Sequence, residues 1–581
     1  MLQRMQTRSV KLLSPRWGIA LLLLVVAGIY SNSLLNGYTI DDPFTYADNP
    51  SISRLENMVH LFDREYFTIS REASYRPVCT ATYFVDRAIW GEQVFGPHLT
   101  NILIYMGTVA LLFLCFRNVL RGQRVGAFAG ALLFAVHPLH TEVVNNISFR
   151  EDLLASLFLV LAWWLYQRGR TSGCRGWLLA SALSYLCATF SKEFAIMFPA
   201  LMLLMDIAGR QREGHKTPAV PSRLTYYAML LAATAIFLVV RFVVLTYDVA
   251  GAEGAARMSP GALVVANVKI QARYLSLFLF PIDLRSYYAR ASYVPALDAV
   301  FFCGLGALLL LVVALLYFRR YRWFVSGWLW WGIAMAPVAN VYPLFQPMAE
   351  RYLFWPSVGP CLWAGWLAGR WLARSRRLAT VVLLLVAVAL SIAVVQRNGV
   401  WRDELTVWNT VSLRTIDDAM VEVHLATANF SVGNYRKAIR HGERALVLMD
   451  GEAGTLNPAV VHLTLGGARY MLGDMDGALA GFLEARRYLP ARIDVDFATH
   501  RNLGMVYERQ ANLPAAAAGY AEALRVDPGH DEAWRKLAYC QLQLGNTDDA
   551  RRSWDRARML NPVLPAFDLL EREYRKSIAE P

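Results

Sequence analysis

Charge is what this chain has little of: 18% of its 581 residues are Asp, Glu, Lys or Arg, against 56% hydrophobic ones. A soluble domain of ordinary build carries about a quarter charged residues, so that class does not fit the whole chain. Cysteine is scarce as well, with seven in all. Cys115, Cys187, Cys303 and Cys361 lie in or beside apolar runs, Cys174 lies in a basic connector, and Cys79 and Cys540 stand far apart. That scatter excludes a disulfide framework and a zinc spacing. The net charge of +13 is not gathered into a nucleic-acid patch, because the surplus base sits in short connectors between apolar runs. No nucleic-acid partner is expected.

What is present divides at about residue 396. Before it, long apolar runs alternate with short polar connectors, and after it the text is charged, Ala-rich and helical in period. The expected domains are therefore a multispan membrane part, 1–396, and a soluble tail, 397–581. A membrane-crossing helix needs about 20 apolar residues. Candidates fall near 18–36, 100–117, 126–140, 152–167, 176–190, 194–209, 226–246, 297–318, 324–341, 353–370 and 378–396, eleven in all. The stretch 261–281 holds Lys269 and Arg273 in its middle, which argues for a helix lying in the interface.

Positive charge marks the cytoplasmic connectors of such a chain. Arg4, Arg8, Lys11 and Arg16 precede the first span, which reads as a signal anchor rather than a cleaved leader. Arg117, Arg121 and Arg124, then Arg168, Arg170 and Arg175, then Arg210, Arg212, Lys216 and Arg223 occupy alternate connectors. Arg319, Arg320 and Arg322, and finally Arg370, Arg374, Arg376 and Arg377, complete the set. Eleven spans put all of them on one side, and a twelfth at 261–281 would not. The opposite side receives the loop with Asp41 and Asp42, "HPLHTEVVNNISFRED" (137–152), "FSKEF" (190–194), 247–296, "NVYPLFQPMAERYLFWP" (340–356) and the tail.

The tail predicts an α-solenoid of about four tetratricopeptide repeats. Trp534, Leu537, Ala538, Gly545, Ala550, Trp554, Ala557 and Pro562 follow the repeat pattern, and Leu503, Gly504, Tyr507, Ala516, Tyr520, Ala523 and Pro528 precede them by one period. Leu465, Gly466, Gly473, Ala478, Phe482, Ala485 and Pro490 form another unit, and Leu425, Ala426, Gly433, Ala438 and Ala445 the first. The step from Ala516 to Ala550 is 34 residues, and the two before it are 38 and 40. Such arrays offer a concave surface suited to peptides.

Asp41 and Asp42 stand just past the first span. The plain reading of such acids is a helix cap. At an outer membrane surface a carboxylate can also take a proton from a hydroxyl as general base, and two adjacent acids repel, which raises the pKa of one.

"TIDDPFTYADNPSI" (39–52), "YRPV" (75–78), "HPLHTEVV" (137–144), "REDLLA" (150–155), "SKE" (191–193), "PALMLLMD" (199–206) and "AERYLFWPSVG" (349–359) fall in a shared order before the repeat array. In this the chain resembles the transmembrane-and-tetratricopeptide protein O-mannosyltransferases, of the GT-C class of glycosyltransferases. The resemblance covers nearly the whole chain. It implies an all-α polytopic bundle and transfer of a sugar, mannose above all, from a polyprenyl-phosphate carrier to a protein hydroxyl at the outer leaflet. It also implies that Asp41 or Asp42 is the catalytic base, with Asp41 favoured.

A polyprenyl-phosphate donor needs cations, and arginine meets phosphate bidentately. Arg351, after Glu350, stands at the outer mouth of a span, with Arg150 and Lys192 as further candidates and Arg76 a weaker one. The plain alternative for each is a snorkelling side chain or an ion pair with a neighbouring acid. His137, His140, Glu142, Glu193 and Glu350 complete the expected site lining. Two His and a carboxylate also suit a divalent metal, so metal dependence stays open although no cofactor is expected. "REDLLA" departs from the family in Glu151, where a small residue is usual. The expected partners are a polyprenyl-phosphate-linked sugar, a protein or peptide held by the repeats, and the lipid bilayer. A bacterial inner membrane with a periplasmic tail is expected, or the endoplasmic reticulum in a eukaryote. A lipid-linked oligosaccharide ligase and a non-enzymatic membrane-anchored scaffold are the alternative readings.

Overall fold

The computed structural model describes residues 14–70, 74–209, 223–244, 259–289, 293–340, 344, 346–449 and 456–572. Every regular element among them is a helix. Of the expected basic positions, Arg4, Arg8, Lys11, Arg210, Arg212 and Lys216 lie outside the described residues. The chain divides into two compact units, residues 1–410 and 411–581. The division falls later than the end of the last apolar run because residues 397–404 are bonded back to the first unit, as described below.

In the first unit, α1 (Pro15–Tyr30) starts with Pro15, whose missing N–H would have had no partner in a first turn. Then come α2 (Pro77–Trp90), α3 (Phe95–Val119), α4 (Arg124–Ala135), α5 (Arg150–Ser172), α6 (Arg175–Thr189) and α7 (Phe198–Gly209). They are followed by α8 (Arg223–Val239), α9 (Pro260–Leu279), α10 (Ala299–Tyr317), α11 (Arg322–Met335), α12 (Val358–Arg374) and α13 (Arg376–Asn398). The faces of α10 and α13 carry exposed apolar side chains such as Leu310, Val313, Leu316, Leu384 and Leu385. Apolar surface on that scale belongs against lipid, and the unit is a multi-pass membrane bundle.

Among the described residues six helices are long and apolar enough to cross a membrane, or seven if the bent pair Arg124–Ala135 and Pro138–Asn145 counts as one span. Eleven were expected. The difference lies in helices of 12 to 17 residues (α6, α7, α11 and α12) and in α5, whose first turn is charged and buried. Segment 261–281, expected in the interface, is the 20-residue helix α9 and meets the same length and apolarity test. Its cations are paired: Lys269 Nζ lies 2.6 Å from Asp298 and 2.9 Å from the Val294 carbonyl, and Arg273 bonds Asp283. Pairing removes the reason for keeping them out of a membrane helix.

Short helices pack by closeness. Gly126 and Gly130 of α4 face Gly365 and Gly369 of α12, two runs of small residues four apart. A Cβ on Gly126 would stand 2.5 Å from the Gly365 carbonyl oxygen, and one on Gly365 the same distance from that of Gly126. Such small-residue seams let backbones touch where no hydrophobic force separates helix from lipid.

The second unit is four antiparallel helix pairs: Ala419–Ser431 with Tyr435–Met449, Pro458–Met471 with Met475–Arg487, Ile493–Arg509 with Leu513–Val526, and Asp531–Gln543 with Thr547–Leu560. These are the four repeats read in the sequence. Gly433, Gly473 and Gly545 turn three of the pairs with positive φ. The third pair turns on Ala511 at φ 55°.

Candidate functional site

The stretch after α1 is held in place by distant parts of the chain. Gly37 N–H donates to the Arg402 carbonyl at 2.7 Å, and Ile40 N–H to Glu404 Oε2 at 2.6 Å. Ile40 has φ 57°, an uncommon state for a β-branched residue that persists where its surroundings dictate it. The left-handed residue turns the chain so that Asp41 and Asp42 point differently. Asp41 is exposed, and Asp42 is fully buried. Asp42 occupies the cap position of a turn, yet its side chain caps nothing there. Instead Oδ1 accepts from Ser148 N–H at 2.7 Å and Oδ2 from Thr39 N–H at 3.2 Å. Burial pushes its pKa up to about 6, with these bonds opposing. The cause is lost hydration rather than the repulsion expected between neighbours.

Behind the turn runs a ladder of buried asparagines. Asn36 donates to Asn145 Oδ1 at 2.8 Å and to the Asn398 carbonyl at 3.1 Å, and Asn145 donates to Asn398 Oδ1 at 2.9 Å. Asn398 donates in turn to the Ile29 carbonyl and to Asn32, both at 2.8 Å. Thr39 bonds Asn146 at 2.9 Å. The ladder satisfies polar groups that would otherwise be costly to bury. Sequence reading missed Glu404 and these asparagines, although the "NN" of 145–146 sat in a motif already singled out.

Segment 346–358 closes on the same region. Arg351 Nη1 meets Glu142 Oε1 at 2.7 Å, Nη2 donates to Gln346 Oε1 at 2.7 Å, and the guanidinium stacks over Phe149 at 4.3 Å. Among the described residues the Arg351 side chain hydrogen-bonds to no others, and it remains partly exposed. Glu350 is buried and faces away: it accepts from Arg285 N–H at 2.5 Å, Tyr288 OH at 2.9 Å and Arg397 Nη2 at 2.7 Å. Burial pushes its pKa up to about 7, against the Arg397 charge. Glu350 thus clamps 285–288 and the end of α13 to the site rather than lining it.

A second charged cluster joins α5 to the segment after α6. Lys192 Nζ lies 2.7 Å from Glu151 and 2.5 Å from Asp152, while Arg76 bonds Glu151 and reaches Glu193 at 3.1 Å. Glu151 bridges the two cations. Lys192 and Arg76 are therefore ion-paired in this structure, the plain alternative weighed for them.

Three expected site residues are placed otherwise. Arg150 is wholly buried, donating to Asn101 (2.7 Å), Thr82 (3.0 Å) and the Pro97 carbonyl (3.0 Å), with Asp86 as its counter-ion at 2.5 Å. It ties α2, α3 and α5 together, and no face of it is open to a lipid phosphate. His137 and His140 are buried too, so they support the site without lining it. His137 Nε2–H donates to the Phe278 carbonyl at 3.0 Å, and His140 bonds Tyr105 OH at 3.0 Å and Ser357 at 3.1 Å. With Glu142 given to Arg351, the alternative set of two His and a carboxylate is not brought together, and no group of three such ligands occurs among the described residues.

The tetratricopeptide repeat family matches residues 509–571. Among curated proteins, the protein O-mannosyl-transferase TMTC3 of Mus musculus is 24% identical over 94% of this chain. TMTC1 of Homo sapiens is 24% identical over 77%, and TMTC2 of Homo sapiens 31% identical over 31%. The chain spans 64% of the length of the first, 56% of the second and 22% of the third. Over most of its length, then, this chain is similar to the transmembrane-and-tetratricopeptide protein O-mannosyltransferases.

Proposed function

We propose that this protein is an inverting glycosyltransferase that moves one sugar, mannose in the first instance, from a polyprenyl phosphate to a protein hydroxyl at the outer leaflet. The observation that carries the reading is the convergence of two groups on the 148–149 turn. Asp42, the neighbour in sequence of exposed Asp41, accepts from Ser148 N–H, and Arg351 stacks on Phe149. The residue next to the proposed base and the proposed phosphate-binding cation thus rest on adjacent residues of a buried, hydrogen-bonded frame.

In the reaction the acceptor hydroxyl gives its proton to Asp41 as its oxygen bonds the anomeric carbon. The bond from that carbon to the carrier phosphate breaks, and the polyprenyl phosphate leaves with the electron pair. Arg351 offsets the charge that grows on the phosphate, a role worth more in a dry site than in water. Asp42 and Ile40 position the base, while the repeats hold the acceptor polypeptide and raise its local concentration.

The test uses the full chain in lipid nanodiscs with a panel of polyprenyl-phosphate monosaccharides, lipid-diphosphate oligosaccharides and a Ser/Thr-rich peptide. Transfer of a single sugar with inverted anomeric configuration is expected. Transfer from the diphosphate donors alone would replace this reading by an oligosaccharide ligase, and transfer from none would leave the scaffold.

A further inference from the structure

Far from the carboxylates, three basic connectors meet around a cavity of about 590 Å³. Arg117, Arg121, Arg124, Arg168, Arg170 and Arg322 all line it. Helices α3 and α5 both run from the candidate site to this cavity. From Asn101 to Arg117 the separation is about 24 Å at 1.5 Å per helical residue.

Basic connectors are explained by topology alone when their side chains spread into water. Here they surround a concavity, and four of them lie there with no acid beside them among the described residues. Among the described residues the one carboxylate in the lining, Asp206, is already committed: it accepts from Tyr166 OH at 2.7 Å and Tyr227 OH at 3.1 Å, with Arg223 at 3.7 Å. Among the described residues Arg117, Arg121, Arg124 and Arg168 form no ion pair, and Arg168 rests on the Trp164 ring at 5.0 Å. Like charges gathered in a half-enclosed space repel unless an anion joins them. Arginine forks match phosphate oxygens in particular. Trp163, Trp323 and Met205 add apolar walls, so the cavity is an arginine rim over a greasy base.

We propose that this cavity binds a phosphate-bearing group, the headgroup of an anionic membrane lipid or a free phosphate of the same chemistry. Its place at the ends of membrane helices favours the headgroup, since basic pockets between such helices suit anionic lipids. The volume is also well above what one phosphate ion fills. The site is separate from the transfer chemistry and stands whether or not that reading holds.

The test takes the full chain, delipidated in neutral detergent, and measures equilibrium binding of short-chain phosphatidylglycerol, phosphatidylcholine and inorganic phosphate. Saturable binding of phosphatidylglycerol over phosphatidylcholine is expected. The combined variant Arg117→Gln, Arg121→Gln, Arg124→Gln should weaken it about tenfold or more. A control set, Arg374→Gln, Arg376→Gln, Arg377→Gln, removes three exposed arginines that do not line the cavity and should leave it unchanged. Inorganic phosphate that competes identifies a free phosphate group as sufficient, and failure to compete identifies the lipid headgroup; either supports the site. Equal loss in both variant sets, or equal binding of the two lipids, would overturn it. If the first set does not fold, Arg121→Gln alone, at an exposed position, serves with a smaller expected loss.

Discussion

Arg351 holds Glu142 with two donors at once, its backbone N–H at 2.8 Å to Oε2 and its Nη1 at 2.7 Å to Oε1. The main-chain bond fixes where the residue is, and the side-chain bond fixes where its charge points. A guanidinium held this way is oriented before any anion arrives.

Arg351→Ala should therefore raise the KM for the polyprenyl-phosphate donor and destabilise the fold, because it leaves a buried carboxylate unpaired. Breaking a buried pair from one side costs roughly 3–5 kcal/mol. Arg351→Ala with Glu142→Gln should recover much of the stability and none of the donor affinity. Donor kinetics and thermal denaturation of the parent and the two variants separate the two roles, and an unchanged KM in Arg351→Ala would remove the residue from the site.

Asp41 is exposed and its neighbour is not, so their substitutions should differ in kind. Asp41→Asn is expected to lower transfer by about 10²–10⁴ while melting temperature and donor binding stay near those of the parent. Asp42→Asn keeps one acceptor where two backbone donors converge, and should cost about 1–3 kcal/mol of stability with a smaller loss of rate. Full activity in both would send the search for the base elsewhere.

The buried Asp42 also predicts a pH dependence. Its folded pKa of about 6 lies above the unfolded 3.8, so folding favours the protonated acid. That contribution is complete below pH 3.8 and is lost as pH rises through 6. The full span is worth about 3 kcal/mol at 1.36 kcal/mol per pKa unit. Asp42→Asn should abolish it, so the stability difference between parent and variant should change between pH 4 and 6 and stay flat above 7. Chemical denaturation across that range reads the difference directly.

The repeat unit offers two opposed substitutions in a fragment of residues 411–581. Ala511 sits at φ 55° where the other three pairs use glycine, so Ala511→Gly should raise stability by about 0.5–1 kcal/mol. Gly504 lies against Gly519, and its Cβ would stand 3.1 Å from the Tyr520 ring. Gly504→Val should force the paired helices apart and lower the melting temperature by several degrees. A fragment without helical circular dichroism would defeat the expectation that the repeats fold alone.

Much of this architecture was legible because it is local. The repeat pairs follow from small residues at fixed spacing, and the strongest spans from unbroken apolar runs. Arg117 to Arg124 and Arg168 to Arg170, read as same-side connectors, do meet around one cavity. What escaped depends on partners far along the chain. Nothing near Lys269 in sequence hints at its partner Asp298. Arg150 looked like a phosphate ligand because nothing near it in sequence hints at Asp86, Asn101 and Thr82 together. Glu404 lay beyond the last span, where acids are ordinary, and only the fold brings it to Ile40.

The asparagine ladder has a consequence for how the protein is made. Asn36, Gly37 and Ile40 are held by Asn398, Arg402 and Glu404, residues synthesised more than 350 positions later. A nascent chain still lacking its last span has no frame for the Asp41 turn, whatever its earlier helices have done. The Asp41 turn is therefore set late, when the end of the bundle closes on its beginning, and a half-inserted chain should lack the transfer proposed above.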